Sequence, residues 1–274
     1  MIKTILICAC LITLFCPAVG YTGSADTVTI SGAKSAISAK AIIVLPDTYA
    51  KSKKKYPVVY LLHGWSGNYR NWYDKTDLET LTDRFNLIIV CPDGGYAGWY
   101  IDSPLNKESK YSTYIAVDVV AYVDQHYRTL PTVSGRAICG LSMGGHGALY
   151  LLSTYHEIYA MAGSISGLME LTPYAKRYGV VELLGEFETR QQVWRDYSCI
   201  ALIDSLKGKK KRIMLDCGTA DPFIETNREL HRLMISADIE HDYVERFGGH
   251  SWEYWTGALE YHLLFFVKNG LSDR

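Results

Sequence analysis

Short apolar runs recur along the chain between longer amphipathic segments, and this alternation constrains the fold most. Val58-Val59-Tyr60-Leu61-Leu62, Leu87-Ile88-Ile89-Val90-Cys91, Ala137-Ile138-Cys139, Ala160 to Ile165 and Arg212-Ile213-Met214-Leu215 read as buried strands. Asp242-Tyr243-Val244-Glu245 closes the series, and Thr27-Val28-Thr29-Ile30 and Ala41-Ile42-Ile43-Val44 precede it with mostly β-branched residues. Between them lie helix-length stretches. Thr113 to His126 sets Ile115, Val119, Tyr122 and Val123 on one side, Glu225 to Ala237 does so with Leu230, Leu233 and Met234, and Trp252 to Lys268 ends the chain as a long aromatic-rich helix. Strands without polar alternation, separated by helices, require a mainly parallel sheet covered on both faces. The expectation is therefore an α/β fold, with residues 21–274 as one domain, since no repeat or linker breaks the composition. Leu168 to Leu206 is irregular and is read as an insertion above the strand ends, where specificity loops form.

Composition narrows the function classes. With 48% hydrophobic and 21% charged residues and a formal net charge of -1, neither disorder nor a nucleic-acid partner is expected. The basic cluster Lys51 to Lys55 reads as a solvated loop. The N-terminus carries a separate message. Lys3, the apolar run Thr4 to Phe15 and the small residues around Ala18 and Gly20 have the order of a signal peptide spanning residues 1–20. Export to the periplasm or medium is expected, with no membrane-spanning segment once the signal is removed. Anchoring through Cys16 is disfavoured by bulky Phe15. Four cysteines remain in the mature chain, Cys91, Cys139, Cys199 and Cys217. Three of them end apolar runs and read as buried thiols without zinc-site spacing, and no disulfide pairing can be assigned.

The chemistry concentrates at Gly140-Leu141-Ser142-Met143-Gly144, which follows a strand and opens a helical segment. A nucleophile on so sharp a turn needs small residues two positions to either side, and the helix N-terminus below it favours developing negative charge. A serine hydroxyl needs a base, and the base needs a carboxylate to orient it. His250 lies on a Gly-Gly loop after the last strand and directly before the closing helix. His146 is too near Ser142 in sequence to turn back on it. His156, His231 and His262 fall in helices as surface or packing residues, and His241 sits at the wrong end of the last strand. For the acid, Asp221 on the loop beyond the strand is favoured over Asp216 at the strand end, which is expected to tether the loop by accepting backbone hydrogen bonds. Oxyanion donors are expected at the N–H groups of Met143 and of Trp65, in the loop His63-Gly64-Trp65-Ser66-Gly67. His63 itself is expected to hold that loop.

Tyr60-Leu61-Leu62-His63-Gly64, Pro92-Asp93-Gly94-Gly95, Gly140 to Ala148, Gly218 to Phe223 and Gly249-His250-Ser251-Trp252 together resemble the esterase D and feruloyl esterase-like branch of the α/β-hydrolases. That branch includes S-formylglutathione hydrolases, acetyl and feruloyl esterases, and mycolyltransferases. The resemblance implies an α/β-hydrolase fold, the triad Ser142, Asp221 and His250, the oxyanion donors Trp65 and Met143, and no metal or cofactor. It implies a serine carboxylesterase acting on short-chain or aromatic acyl esters, with acetyl or feruloyl groups on plant polysaccharide as the expected substrates. Trp99 and Tyr100, in an aromatic cluster with Trp65, Tyr69, Trp72 and Tyr96, are candidates for substrate binding. Acyl transfer of the mycolyltransferase type uses the same triad and is the rival chemistry. S-formylglutathione thioester hydrolysis is disfavoured, because those enzymes are cytosolic and carry a cysteine in the loop where this chain has His63 to Gly67. A binding protein without catalysis is disfavoured by the intact Ser142, Asp221 and His250.

Overall fold

The computed structural model describes residues 24–272; the expected signal peptide and its three cysteines lie outside the described residues. Among these residues eight strands form one sheet in the order β1-β2-β4-β3-β5-β6-β7-β8. They are β1 Ser24–Ser31, β2 Ser38–Leu45, β3 Val58–Leu62, β4 Ile88–Pro92, β5 Arg136–Leu141, β6 Met161–Ile165, β7 Arg212–Gly218 and β8 Asp242–Arg246. From β4 to β8 every pair is parallel, whereas β1 and β2 run antiparallel to their neighbours. The mainly parallel sheet is thus as expected, with an antiparallel hairpin added at one edge.

The apolar runs are continuous because both faces of the sheet are covered. In β3 the period of two sends Tyr60 and Leu62 into one core and Val59 and Leu61 into the other. On the first face lie α2 (Val120–His126) and α3 (Met143–Thr154), and on the second α1 (Leu78–Phe85) and α5 (Trp252–Lys268). α4 (Ile224–Ser236) follows β7 and buries Leu230 and Met234 in the first core.

The helix expected over 113–126 differs in its first half. Tyr114–Val119 winds as a π-helix before α2. Within it Asp118 is buried, and its carboxylate accepts the N–H groups of Lys34 and Ser35 on the β1–β2 turn at 3.0 and 2.9 Å. A side-chain anchor of this kind has no signature in the apolar spacing. The segment after β6 folds as short helical turns, including Val181–Leu184, Phe187–Asp196 and Cys199–Leu202. No helix among the described residues is long and apolar enough to cross a membrane.

Candidate active site

β5 is central and fully buried, and it delivers Ser142 to the N-terminus of α3. Ser142 has φ 54° and ψ -116°, a left-handed conformation that costs an L-residue of order 1–3 kcal/mol and persists only when its surroundings hold it. The surroundings are tight. A Cβ at Gly140 would stand 2.4 Å from the Gly144 carbonyl oxygen, and one at Gly144 would stand 2.5 Å from the Leu62 carbonyl oxygen. The Ser142 N–H donates to Ile165 O at 2.9 Å, and its carbonyl accepts His146 N–H at 3.1 Å. The Gly-X-Ser-X-Gly spacing is thus a packing requirement of the turn.

The loops after β7 and β8 bring up the other two residues. His250 Nε2 lies 2.9 Å from Ser142 Oγ, and His250 Nδ1 lies 2.8 Å from Asp221 Oδ2. A carboxylate only accepts, so Nδ1 carries the proton and Nε2 is left to accept from the serine hydroxyl. Asp221 is 2% exposed, and its other oxygen accepts Phe223 N–H at 2.9 Å. Two aromatic rings clamp the imidazole edge-on, Phe223 at 4.9 Å and Trp255 at 4.8 Å between centroids. The two loops are joined to each other, since Thr219 N–H donates to Arg246 O and Ala220 N–H to Gly248 O.

The loop after β3 stands opposite. His63 Nδ1–H donates to Gly64 O and Nε2 accepts Gly94 N–H, both at 2.8 Å, so His63 holds the loop as expected. Ser66 N–H donates to Tyr96 O and Gly67 N–H to Gly64 O. Met143 is the first residue of α3, where helical geometry leaves the N–H without an intrahelical acceptor. Around Ser142 opens a cavity of about 560 Å³ whose walls include Trp65, Trp99, Tyr178, Phe223, Trp252 and Trp255.

The family described as "Putative esterase" matches residues 36–266. The chain belongs to this esterase family. It is 32% identical over 241 residues to Esterase Rv1288 of Mycobacterium tuberculosis, an alignment covering 76% of this chain and 51% of that protein. The chain therefore spans about half the length of that curated relative. It is also 26% identical over 212 residues to an acetyl esterase of Caldicellulosiruptor saccharolyticus, covering 72% of this chain and 78% of that one. Among solved structures, a ferulic acid esterase superposes with TM-score 0.78 at 26% identity, over 90% of this chain and 98% of the other. An S-formylglutathione hydrolase from Agrobacterium tumefaciens gives TM-score 0.79 at 20% identity, over 91% and 96%. The fold is an α/β-hydrolase fold.

Two expectations for this esterase-family chain need correction. Tyr100, expected to bind substrate, is fully buried, and its hydroxyl donates to His63 O at 2.9 Å. It props the loop after β3 from beneath and presents no surface to a ligand. Trp99 does line the cavity, with its indole N–H donating to Tyr178 O at 3.0 Å. Asp216 tethers as expected, but through side chains rather than backbone. It accepts from Tyr254 Oη and from Arg246, joining β7, β8 and α5. Burial pushes its carboxyl above the usual range, opposed by these two donors.

His146 packs near the site as anticipated, buried, with Nε2–H donating to Tyr197 O at 2.8 Å. Sequence reasoning assigned no role to Tyr178, Phe223, Trp252 or Trp255. Phe223 and Trp252 stood two residues from Asp221 and His250, a proximity that marks them as flanking the site. Tyr178 lies in the irregular insertion, where no periodicity tells a wall residue from a surface one. The four cysteines among the described residues, Cys91, Cys139, Cys199 and Cys217, are free and buried, and burial pushes their thiols up.

Proposed function

We propose that the chain is an exported serine carboxylesterase using Ser142, His250 and Asp221. The observation that carries this reading is the hydrogen-bonded relay of 2.9 Å from Ser142 to His250 and 2.8 Å from His250 to Asp221, at a cavity mouth. His250 takes the hydroxyl proton as Ser142 Oγ attacks the ester carbonyl carbon. Asp221 fixes the tautomer and stabilises the imidazolium. The N–H groups of Met143 and Trp65 receive the oxyanion, a contribution of about 3–4 kcal/mol per donor in comparable sites. Collapse breaks the bond to the alcohol oxygen, which leaves with the proton from His250. Water then attacks the acyl-serine carbonyl by the same route and restores the enzyme.

Acetyl or feruloyl esters of plant polysaccharide are the proposed substrates. The aromatic cavity walls support an acyl group that is small or planar, and relatives named acetyl esterase and ferulic acid esterase point the same way. Export rests on the sequence of residues 1–20.

Initial rates on p-nitrophenyl acetate and methyl ferulate test this. Wild type should turn over at least one of them, and Ser142→Ala should lower kcat by about 10⁵–10⁶-fold with its circular dichroism unchanged. A fluorophosphonate should label wild type and not the variant. Equal rates in the two proteins would overturn the assignment of Ser142.

A further inference from the structure

The outer face of α5 is open to solvent. Its exposed positions are Glu253, Gly257, Tyr261, Leu264 and Lys268, a stripe at spacings of three and four residues that keeps to one side of the helix. The opposite side packs into the second core through Trp255, Leu259, Leu263 and Phe266. A helix face turned to water is ordinarily polar or charged. The middle of this one holds Tyr261 at 56% exposure and Leu264 at 39%, and Phe247, on the loop that leads into α5, is 97% exposed. Apolar surface gathered in this way marks an interaction site.

The patch has a shape. Phe247 and Tyr261 wall a groove of about 330 Å³ whose lining includes Tyr254, Gly257 and Ala258. Gly257 is its notch, since a Cβ built there meets no heavy atom within 4 Å. The Tyr261 wall is braced, because the Arg246 guanidinium lies 4.4 Å over its ring and is itself bonded to Asp216. The knob that would fill such a notch stands on the same helix. In an antiparallel pairing of α5 with its own copy about a two-fold axis, residues equally far from the axis on either side face each other. With the axis midway between Glu260 and Tyr261, Gly257 faces Leu264 of the second copy. The same register sets Glu253, in the first turn, opposite Lys268 of the second copy, in the last turn. The notch is thus matched by a knob, and the acidic end by a basic one, in one register. Neither a lipid surface nor an unlike protein would call for that symmetry.

We infer that the exposed face of α5, with Phe247, is the contact between two copies of this chain paired antiparallel about that axis. The contact is independent of the esterase reading. Phe247 stands three positions before His250, so pairing also covers the loop that carries His250.

Sedimentation velocity over a dilution series of the protein tests this: a species of twice the single-chain mass should form and fall away on dilution. Leu264→Glu sets a charge into the notch and should leave only single chains where wild type pairs. Gly257→Gln fills the notch but also removes a glycine from a helix. It should raise the thermal midpoint of the single chain while weakening the dimer about tenfold, whereas a merely structural role would move the two together. Glu253→Lys and Lys268→Glu should each weaken the dimer about fivefold, by setting like charges opposite each other twice over, and the double variant should regain wild-type strength. Single chains at every concentration would overturn the proposal, and their flotation with phosphatidylcholine vesicles would give the face to a lipid surface instead. A dimer that survives Leu264→Glu uses another face and would overturn it equally. Equal strength in wild type, both charge reversals and their double would overturn the register.

Discussion

Asp216 and Asp221 are five positions apart, both are buried, and each accepts a hydrogen bond from a titratable side chain. What distinguishes them is which loop they serve. Asp221 reaches His250, whereas Asp216 joins Arg246 and Tyr254 beneath the same loops. Asp221→Asn leaves the imidazole in the wrong tautomer, so kcat should fall about 10⁴-fold while the urea midpoint barely moves. Asp216→Asn removes the partner of Arg246, so it should cost about 1–3 kcal/mol of stability and leave most of kcat. Steady-state kinetics and urea melts on the two proteins check the pair, and a larger kinetic loss at Asp216 would reverse the assignment. That Asp221 rather than Asp216 could lie against His250 was legible in the sequence, because Asp216 ends an apolar strand and Asp221 lies beyond it. Asp216's partners were not, since Arg246 and Tyr254 follow it by 30 and 38 positions. Tyr100 marks a similar boundary. Its place among loop aromatics was readable, but whether its ring points to the cavity or to the underside of the loop depends on a backbone with φ of 58°.

At the scale of elements, the strand-turn-helix unit from Arg136 to Thr154 holds Ser142 by contacts between backbones. A methyl group at Gly144 has nowhere to go, because the nearest atoms are the Leu62 and His63 carbonyl oxygens at 2.5 and 2.7 Å. Gly144→Ala should therefore lower stability by about 1–3 kcal/mol and abolish fluorophosphonate labelling. Gly257, inside α5, has no atom within 4 Å of a built Cβ. Gly257→Ala should accordingly raise stability by about 0.5–1 kcal/mol and leave labelling intact. Thermal melts and gel labelling of the two variants make the comparison. α5 was legible to the residue, as the long aromatic-rich run Trp252–Lys268 that closes the chain. The π-helical turn at Tyr114–Val119 was not, and neither was the bond by which Asp118 within it holds the distant β1–β2 turn. The insertion was recognisable as irregular, yet the wall it builds with Tyr178 depends on packing against Trp65, more than a hundred residues earlier.

At the scale of the whole molecule, burial keeps His146 and His262 from binding protons. Burial lowers His146 to about 4 and His262 to about 3, whereas each titrates near about 6.5 in the unfolded chain. Above that value neither state binds the proton, and stability does not depend on pH through these groups. Below it the unfolded chain takes up both protons while the folded one refuses them. Stability should then fall by up to about 1.4 kcal/mol per pH unit for each histidine, until pH nears 4. Urea titrations between pH 7 and pH 4.5 measure the slope, and His262→Leu should reduce it by one proton's worth; an unchanged slope would refute the account. The alternation of strands and helices foretold the layered sheet in which His262 is enclosed. The order of the strands, with β3 between β4 and β5, was beyond local patterns because pairing between non-consecutive strands leaves no mark on either one.

That strand order has a further consequence. Ser142 leaves β5 at the deeply packed centre, while His250 leaves β8, an edge strand whose residues are all partly or fully open to water. Opening of an edge costs less than melting of a centre, and any excursion of β8 that carries its loop outward parts His250 from Ser142. Warming should therefore separate His250 from Ser142 by fraying at the sheet's margin before the centre melts. Ester turnover should then stop at a temperature below that of global melting, and should return on cooling so long as the central strands have held.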